Sequence, residues 1–185
     1  MRGTMKMNKK TKIIIILLVV GALLFSVVQF IIIPTINHRQ EQYAVAQTDS
    51  LTHDINSVLK YKSQYIGDNS NTANLFYNLP LNNVSMKFQI NSDDCSLTVN
   101  YLDTIWNIGE EKVQRDLVYN SAAAFSLIDN LTKITYEFSG KSYSFTRSQF
   151  ENAFGTPLSS LLNQKVWSEK IQSKLDDTTF VEEFY

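Results

Sequence analysis

"YNSAAAFSLIDNLTKITYEF", Tyr119 to Phe138, changes its apolar period halfway, and that change decides the fold. Traced back to Glu110, the residues Val113, Leu117, Ala124, Phe125 and Ile128 fall near one helical face. After Lys133, Ile134, Tyr136 and Phe138 alternate with polar neighbours, which is the period of a half-buried strand. The spacing predicts a helix over 110–128 that leads into a strand. Its alanines and Ser121 give it a small-residue surface suited to close packing against a sheet.

Working outward, Tyr143 and Phe145 alternate beyond Ser139-Gly140-Lys141, so the strand belongs to a hairpin. An earlier hairpin joins Val84, Met86, Phe88 and Ile90 to Leu97, Val99 and Tyr101 through the turn Asn91–Ser96. Asp54 is placed to cap a short amphipathic helix carrying Ile55, Val58 and Leu59. Thr146 and Gln149 form a capping box for a helix through Phe150 and Phe154, which Gly155 ends. Thr156-Pro157 opens a last helical stretch through Leu161 and Leu162 towards Leu175. Helix, hairpin, helix, hairpin, helix predicts an α+β domain over 55–175, an antiparallel sheet of two hairpins packed against helices. The acidic tail 176–185 reads as loose.

"IIIILLVVGALLFSVVQFIII", Ile13 to Ile33, holds 21 residues without a charge, 17 of them Ile, Leu, Val or Phe. A helix of that length reaches about 31 Å, the thickness of a bilayer core. Its large apolar residues favour insertion by about 5 to 10 kcal/mol in all. A cleaved signal peptide has a shorter apolar core. Ala44-Val45-Ala46 resembles a cleavage site but lies 11 residues past Ile33. The segment therefore reads as a signal-anchor, a transmembrane helix over 13–33 whose partner is the lipid bilayer.

Five of the 17 basic residues (Arg2, Lys6, Lys9, Lys10 and Lys12) precede that helix, and all 18 acids follow it. The positive-inside rule then keeps the head, residues 1–12, in the cytoplasm and the rest outside, as a single-pass protein of the cell membrane. Residues 34–54 read as a polar stalk. A formal net charge of −1 gives no reason to expect nucleic acid as a partner. Cys95 is the only cysteine, so no internal disulfide forms, which suits a Gram-positive surface.

Chemistry is sparse. The run Gly67-Asp68-Asn69-Ser70-Asn71 could hold a cation or a ligand, or start a helix. Counted as a calcium loop from Asp68, it offers Ala73 where glycine belongs and Leu79 where a carboxylate belongs. It reads instead as a turn and helix cap before Leu75, Phe76 and Leu79, with Pro80 as the stop. If a ligand binds there, the candidates are Tyr65, Gly67, Asp68, Asn69, Ser70 and Asn71, acting through backbone amides at the helix start. His38 and His53 both fall in the stalk, so neither is expected beside a nucleophile. Asp93 and Asp94 should dull the Cys95 thiol. Glu110-Glu111 and Asp176-Asp177 are adjacent pairs whose side chains point apart on a helix. No metal site, no cofactor and no catalytic set is expected.

Three segments together resemble a family catalogued as domain of unknown function 4825: "LKYKSQYIGDNSNTANLFYNLPL" (Leu59–Leu81, with "LTVNY" after it), "YNSAAAFSLIDNLTKITYEF", and "YSFTRSQFENAFG" (Tyr143–Gly155). The resemblance implies an extracytoplasmic domain behind a single membrane helix in Gram-positive bacteria. Such domains sometimes accompany antirepressor-type membrane metallopeptidases or anti-sigma-like proteins, and the resemblance transfers no catalytic residues. The expectation is a membrane-anchored, non-enzymatic protein whose outer domain binds a ligand or an envelope protein partner, in a sensing or regulatory role. The alternatives are a structural or assembly accessory of the envelope and, behind it, a carboxylate-dependent envelope hydrolase.

Overall fold

The computed structural model describes residues 8–185. Arg2 and Lys6 of the basic head lie outside the described residues. The chain divides into two units between Ala44 and Val45.

The first unit is built on α1, Lys9–Ala46, a 38-residue helix with a mean hydropathy of 2.9 over its most apolar window. Asn8 caps it, its side chain accepting from Lys10 N–H. Ile13 to Ile33 expose their large side chains all round, and the helix is long and apolar enough to cross a membrane. Pro34 sits inside the helix. Its missing N–H and its ring disrupt the ladder to the turn before, and a π turn at Val28–Ile32 takes up the strain there. The helix thus continues beyond 33 to Ala46.

The second unit, Val45–Tyr185, is mixed helix and sheet. Its elements are α2 (Asn69–Phe76), β1 (Met86–Asn91), β2 (Ser96–Tyr101), α3 (Glu110–Leu127), β3 (Lys133–Phe138), β4 (Lys141–Thr146), α4 (Arg147–Phe154), a helical stretch α5 (164–175) and α6 (Thr178–Glu182). The sheet order is β1-β2-β3-β4. Both predicted hairpins form, but the sheet is mixed and not purely antiparallel, because β2 pairs parallel with β3 in the register Leu97↔Ile134 and Val99↔Tyr136. The reason lies in the connection. An 18-residue helix joins β2 to β3, and a strand–helix–strand crossover brings the chain back to its starting end, where a tight turn would reverse it.

One sheet face buries Leu97, Val99, Ile134, Tyr136 and Phe145 beneath α3. The other carries Thr98, Asn100, Thr135 and Ser144 towards solvent. The helix is more enclosed than a one-faced pattern implies, since every residue from Asp116 to Leu127 is buried. Its small polar side chains permit this because each makes at least one hydrogen bond, although Asn120 Oδ1 stays unpaired among the described residues. Asn120 Nδ2 donates to Pro80 O at 2.8 Å. Ser121 Oγ donates to the Tyr136 hydroxyl at 3.1 Å, and Ser126 Oγ to Ala122 O at 2.7 Å.

Short elements cover the far side of α3. The stretch after Asp54 forms two 3₁₀ turns, Ile55–Ser57 and Leu59–Tyr61, in place of one amphipathic helix. Thr146 caps α4, and Gly155, at φ 66°, ends it in the left-handed region that glycine adopts freely. The tail is packed, not loose. Phe184 lies 4.6 Å from Phe150 between ring centroids, and Tyr185 lies 5.0 Å from Tyr143. The apolar residues Val181 and Phe184 outweigh the acids around them, and both are buried.

Candidate functional site

The turn Gly67–Asn71 is where α2 begins. Asp68 caps the helix, its Oδ1 accepting from Asn71 N–H at 3.1 Å. Asn71 turns inward and donates from Nδ2 to Tyr61 O at 2.6 Å, while Thr72 Oγ1 donates to Ile66 O at 3.2 Å. Ile66 N–H reaches Asn130 Oδ1 at 2.7 Å, which pins the turn to the loop after α3. The side chains of Asp68, Asn69 and Ser70 are exposed, and Tyr65 is 65 % exposed. A Cβ on Gly67 would stand 3.2 Å from Ser92 Oγ, so the turn sits against the β1–β2 loop.

Of the six candidates, Asn69 opens onto a groove between α2 and β1. Ala73 and Tyr77 continue that wall, and Met86, Phe88 and Ile90 form the other. Its volume is about 640 Å³. Tyr77, 52 % exposed, meets the Phe88 ring edge-on at 5.4 Å.

The backbone of β1 gives the groove its chemistry. Leu102 N–H donates to Ser85 O at 2.8 Å, which makes Ser85 and Leu102 a hydrogen-bonded antiparallel pair. Alternation along the register then turns Lys87, Gln89 and Asn91 towards β2. Met86, Phe88 and Ile90 face their N–H and C=O groups away from it, and those groups have no backbone partner among the described residues. The alternation of Met86, Phe88 and Ile90 reads in sequence as core. Tyr77, one residue past the buried Phe76, was the available signal for the facing wall.

A second polar cluster lies in the strap Thr48–Asp54, which the sequence places in the stalk. His53 is buried. Its Nε2 stands 2.8 Å from Asn78 O and its Nδ1 2.7 Å from the Tyr119 hydroxyl. A carbonyl only accepts, so Nε2 carries the hydrogen and Nδ1 accepts from Tyr119. Burial pushes the His53 pKa below its ordinary value, with Asn78 O and the Asp54 charge opposing. Ser50 N–H donates to Asp116 Oδ1 at 3.0 Å, and Lys112 forms an ion pair with the same carboxylate. Burial raises the Asp116 pKa in spite of Lys112. Arg115 Nη2 holds Asp49 at 3.0 and 3.3 Å, and Gln172 Nε2 donates to Ser50 O and His53 O at 2.9 Å each.

The paired acids meet in part. Glu110, Glu111, Asp176 and Glu182 line one concavity of about 420 Å³ with Arg115. All four carboxylates are exposed, whereas a carboxylic acid that holds its proton for catalysis needs a dry surrounding. Cys95 lies half-buried in the β1–β2 turn at φ 49°, its sulfur 3.4 Å from Asn130 Nδ2. No group of three or more His, Cys, Asp or Glu able to hold a metal occurs among the described residues.

The arrangement is that of an α+β domain with a mixed four-stranded sheet, next in sequence to a helix long and apolar enough to cross a membrane. Residues 58–148 match a family described as Domain of unknown function (DUF4825). The matched stretch runs from the 3₁₀ turns through the whole sheet to the start of α4. No curated protein and no solved structure matches the chain.

Proposed function

We propose that this is a single-pass membrane protein of a Gram-positive bacterium, with its N-terminus in the cytoplasm and Val45–Tyr185 outside. There the domain binds an extended segment of an envelope protein partner, without catalysis, in a sensing or regulatory role. The observation that carries this reading is the free edge of β1. Six backbone groups at Met86, Phe88 and Ile90, without a backbone partner among the described residues, lie along the groove beside α2, and an extended chain satisfies such an edge by adding a strand. The apolar helix and the charge asymmetry about it support the placement.

A photo-crosslinking residue in place of Tyr77, tested in intact cells, should give one discrete adduct that the same residue at Ser144 does not give. Ile90→Pro should abolish it, because proline removes only an outward N–H there and leaves the β2 ladder intact. Equal adducts from both positions, or none from position 77, would overturn the site. Sidedness is tested separately. A cysteine at Ser144 in a Cys95→Ser chain should react with a membrane-impermeant maleimide in intact cells, and labelling only after lysis would reverse the orientation.

A further inference from the structure

The strap Thr48–Asp54 follows directly on α1 in sequence and is held to the rest of its unit almost wholly by polar contacts. Leu51 is its only large apolar side chain, and it is only partly buried. The strap backbone is gripped from three sides. Asp116 and Lys112 of α3 take Ser50 N–H and Thr48 O, the latter at 2.9 Å. Gln172 of α5 takes Ser50 O and His53 O, and the carbonyl of Asn78 takes the His53 ring. A segment held by a few hydrogen bonds and little apolar burial is able to open below the cost of global unfolding.

We propose that Thr48–Asp54 is a polar latch on the central helix, opened in mild acid by protonation of His53 while the sheet remains folded. The neutral ring fits its site because one nitrogen donates and the other accepts. A second proton, on Nδ1, ends the hydrogen bond which that nitrogen accepts from Tyr119 and places a charge in a buried site. The new charge would face few countercharges. Its own strap supplies Asp54, and α3 supplies the phenol of Tyr119. The Asn78 turn presents a carbonyl, and α5 presents the uncharged Trp167 and Gln172. Asp49 of the strap and Asp116 of α3 are already engaged by Arg115 and Lys112.

The sign follows from linkage. The closed latch binds the proton more weakly than the open one, where His53 titrates near its ordinary 6.5. Acid below that value therefore favours the open form, down to the lowered closed-state pKa. Asp116 acts in the opposite sense, because its raised pKa makes the closed latch the better proton acceptor.

The test is amide hydrogen exchange on the full chain in nanodiscs, from about pH 7.5 to about pH 5.5. Amides of Ser50, Thr52 and Ile55 should speed up relative to Val99 and Tyr136, by about tenfold per pH unit in the window below 6.5. His53→Gln, which keeps a donor for Asn78 O, should remove that difference. As a second readout, a Trp106→Phe chain with native His53 should show a reversible change in Trp167 emission over the same window. Strap and sheet amides accelerating together, a strap that does not respond, or the same response in His53→Gln would each overturn the latch.

Discussion

The segments Gly67–Asn71 and Asp49–Asp54 are both short, polar and free of a strong apolar period, yet they have opposite fates. In the first, the side chains of Asp68, Asn69 and Ser70 stand in water, and the hydrogen bonds of Asp68 and Asn71 serve the local turn. In the second, Ser50 and His53 are buried, and their polar groups reach across the fold to α3, α5 and Asn78. Both are rich in small polar side chains. The difference is what stands opposite, because a polar segment can be buried wherever partners of matching geometry wait for it. Removing partners should therefore be expensive in the strap and cheap in the turn.

The largest loss is expected from His53→Ala, which leaves the Tyr119 hydroxyl and Asn78 O unpaired and opens a cavity. About 3 kcal/mol of stability should disappear, read by urea denaturation of the full chain in detergent. Next comes Asp116→Ala, at about 2 kcal/mol, because the buried Ser50 N–H loses its acceptor. Asp116→Asn sharpens the point. Asparagine keeps an oxygen for Ser50 and removes a carboxylate that burial already disfavours, so stability near neutral pH should change by less than about 1 kcal/mol. A loss as large as that of alanine would mean that the charge itself holds the strap.

The pH dependence comes third. His53 has a folded pKa below its unfolded 6.5, so its contribution is complete above that value and declines as pH falls towards the lowered one. Asp116, with a folded pKa above 3.8, contributes in the reverse direction at lower pH: stability present below 3.8 is lost as pH rises through its folded value. Denaturation midpoints should fall between pH 6.5 and the lowered His53 value, and the fall should flatten in His53→Gln. A slope unchanged by that substitution would remove His53 as its source.

The same contrast explains what was legible in the sequence. Period-two runs such as Leu97, Val99 and Tyr101 identify their strands, and the caps at Asp68 and Thr146 lie where side-chain chemistry places them. Local rules suffice for these. The parallel β2–β3 pairing depends on where an 18-residue helix returns the chain, which no local pattern states. The strap was hidden for a related reason. Its partners Asp116, Tyr119 and Gln172 lie 66 to 122 residues away, and Ser50 and His53 look like stalk residues until α3 and α5 are in place. Of the groove, the turn at Gly67–Asn71 could be marked from composition. Its edge chemistry could not, because the outward groups of β1 are backbone and depend on which neighbour strand exists.

The smallest effects belong to the exposed turn, and they separate capping from ligand contact. Asp68→Ala removes the acceptor for Asn71 N–H at the start of an eight-residue helix and should lower stability by about 1 kcal/mol. Ser70→Ala touches no hydrogen-bonded group in the turn and should stay within about 0.5 kcal/mol. The two variants should also differ from Ile90→Pro in the crosslinking experiment. If the groove takes an extended chain along the β1 backbone, Ser70→Ala leaves the Tyr77 adduct at full yield, because its hydroxyl lies outside the strand edge. A Ser70→Ala chain that folds with native stability but loses the adduct would move the contact from the strand edge to the helix start.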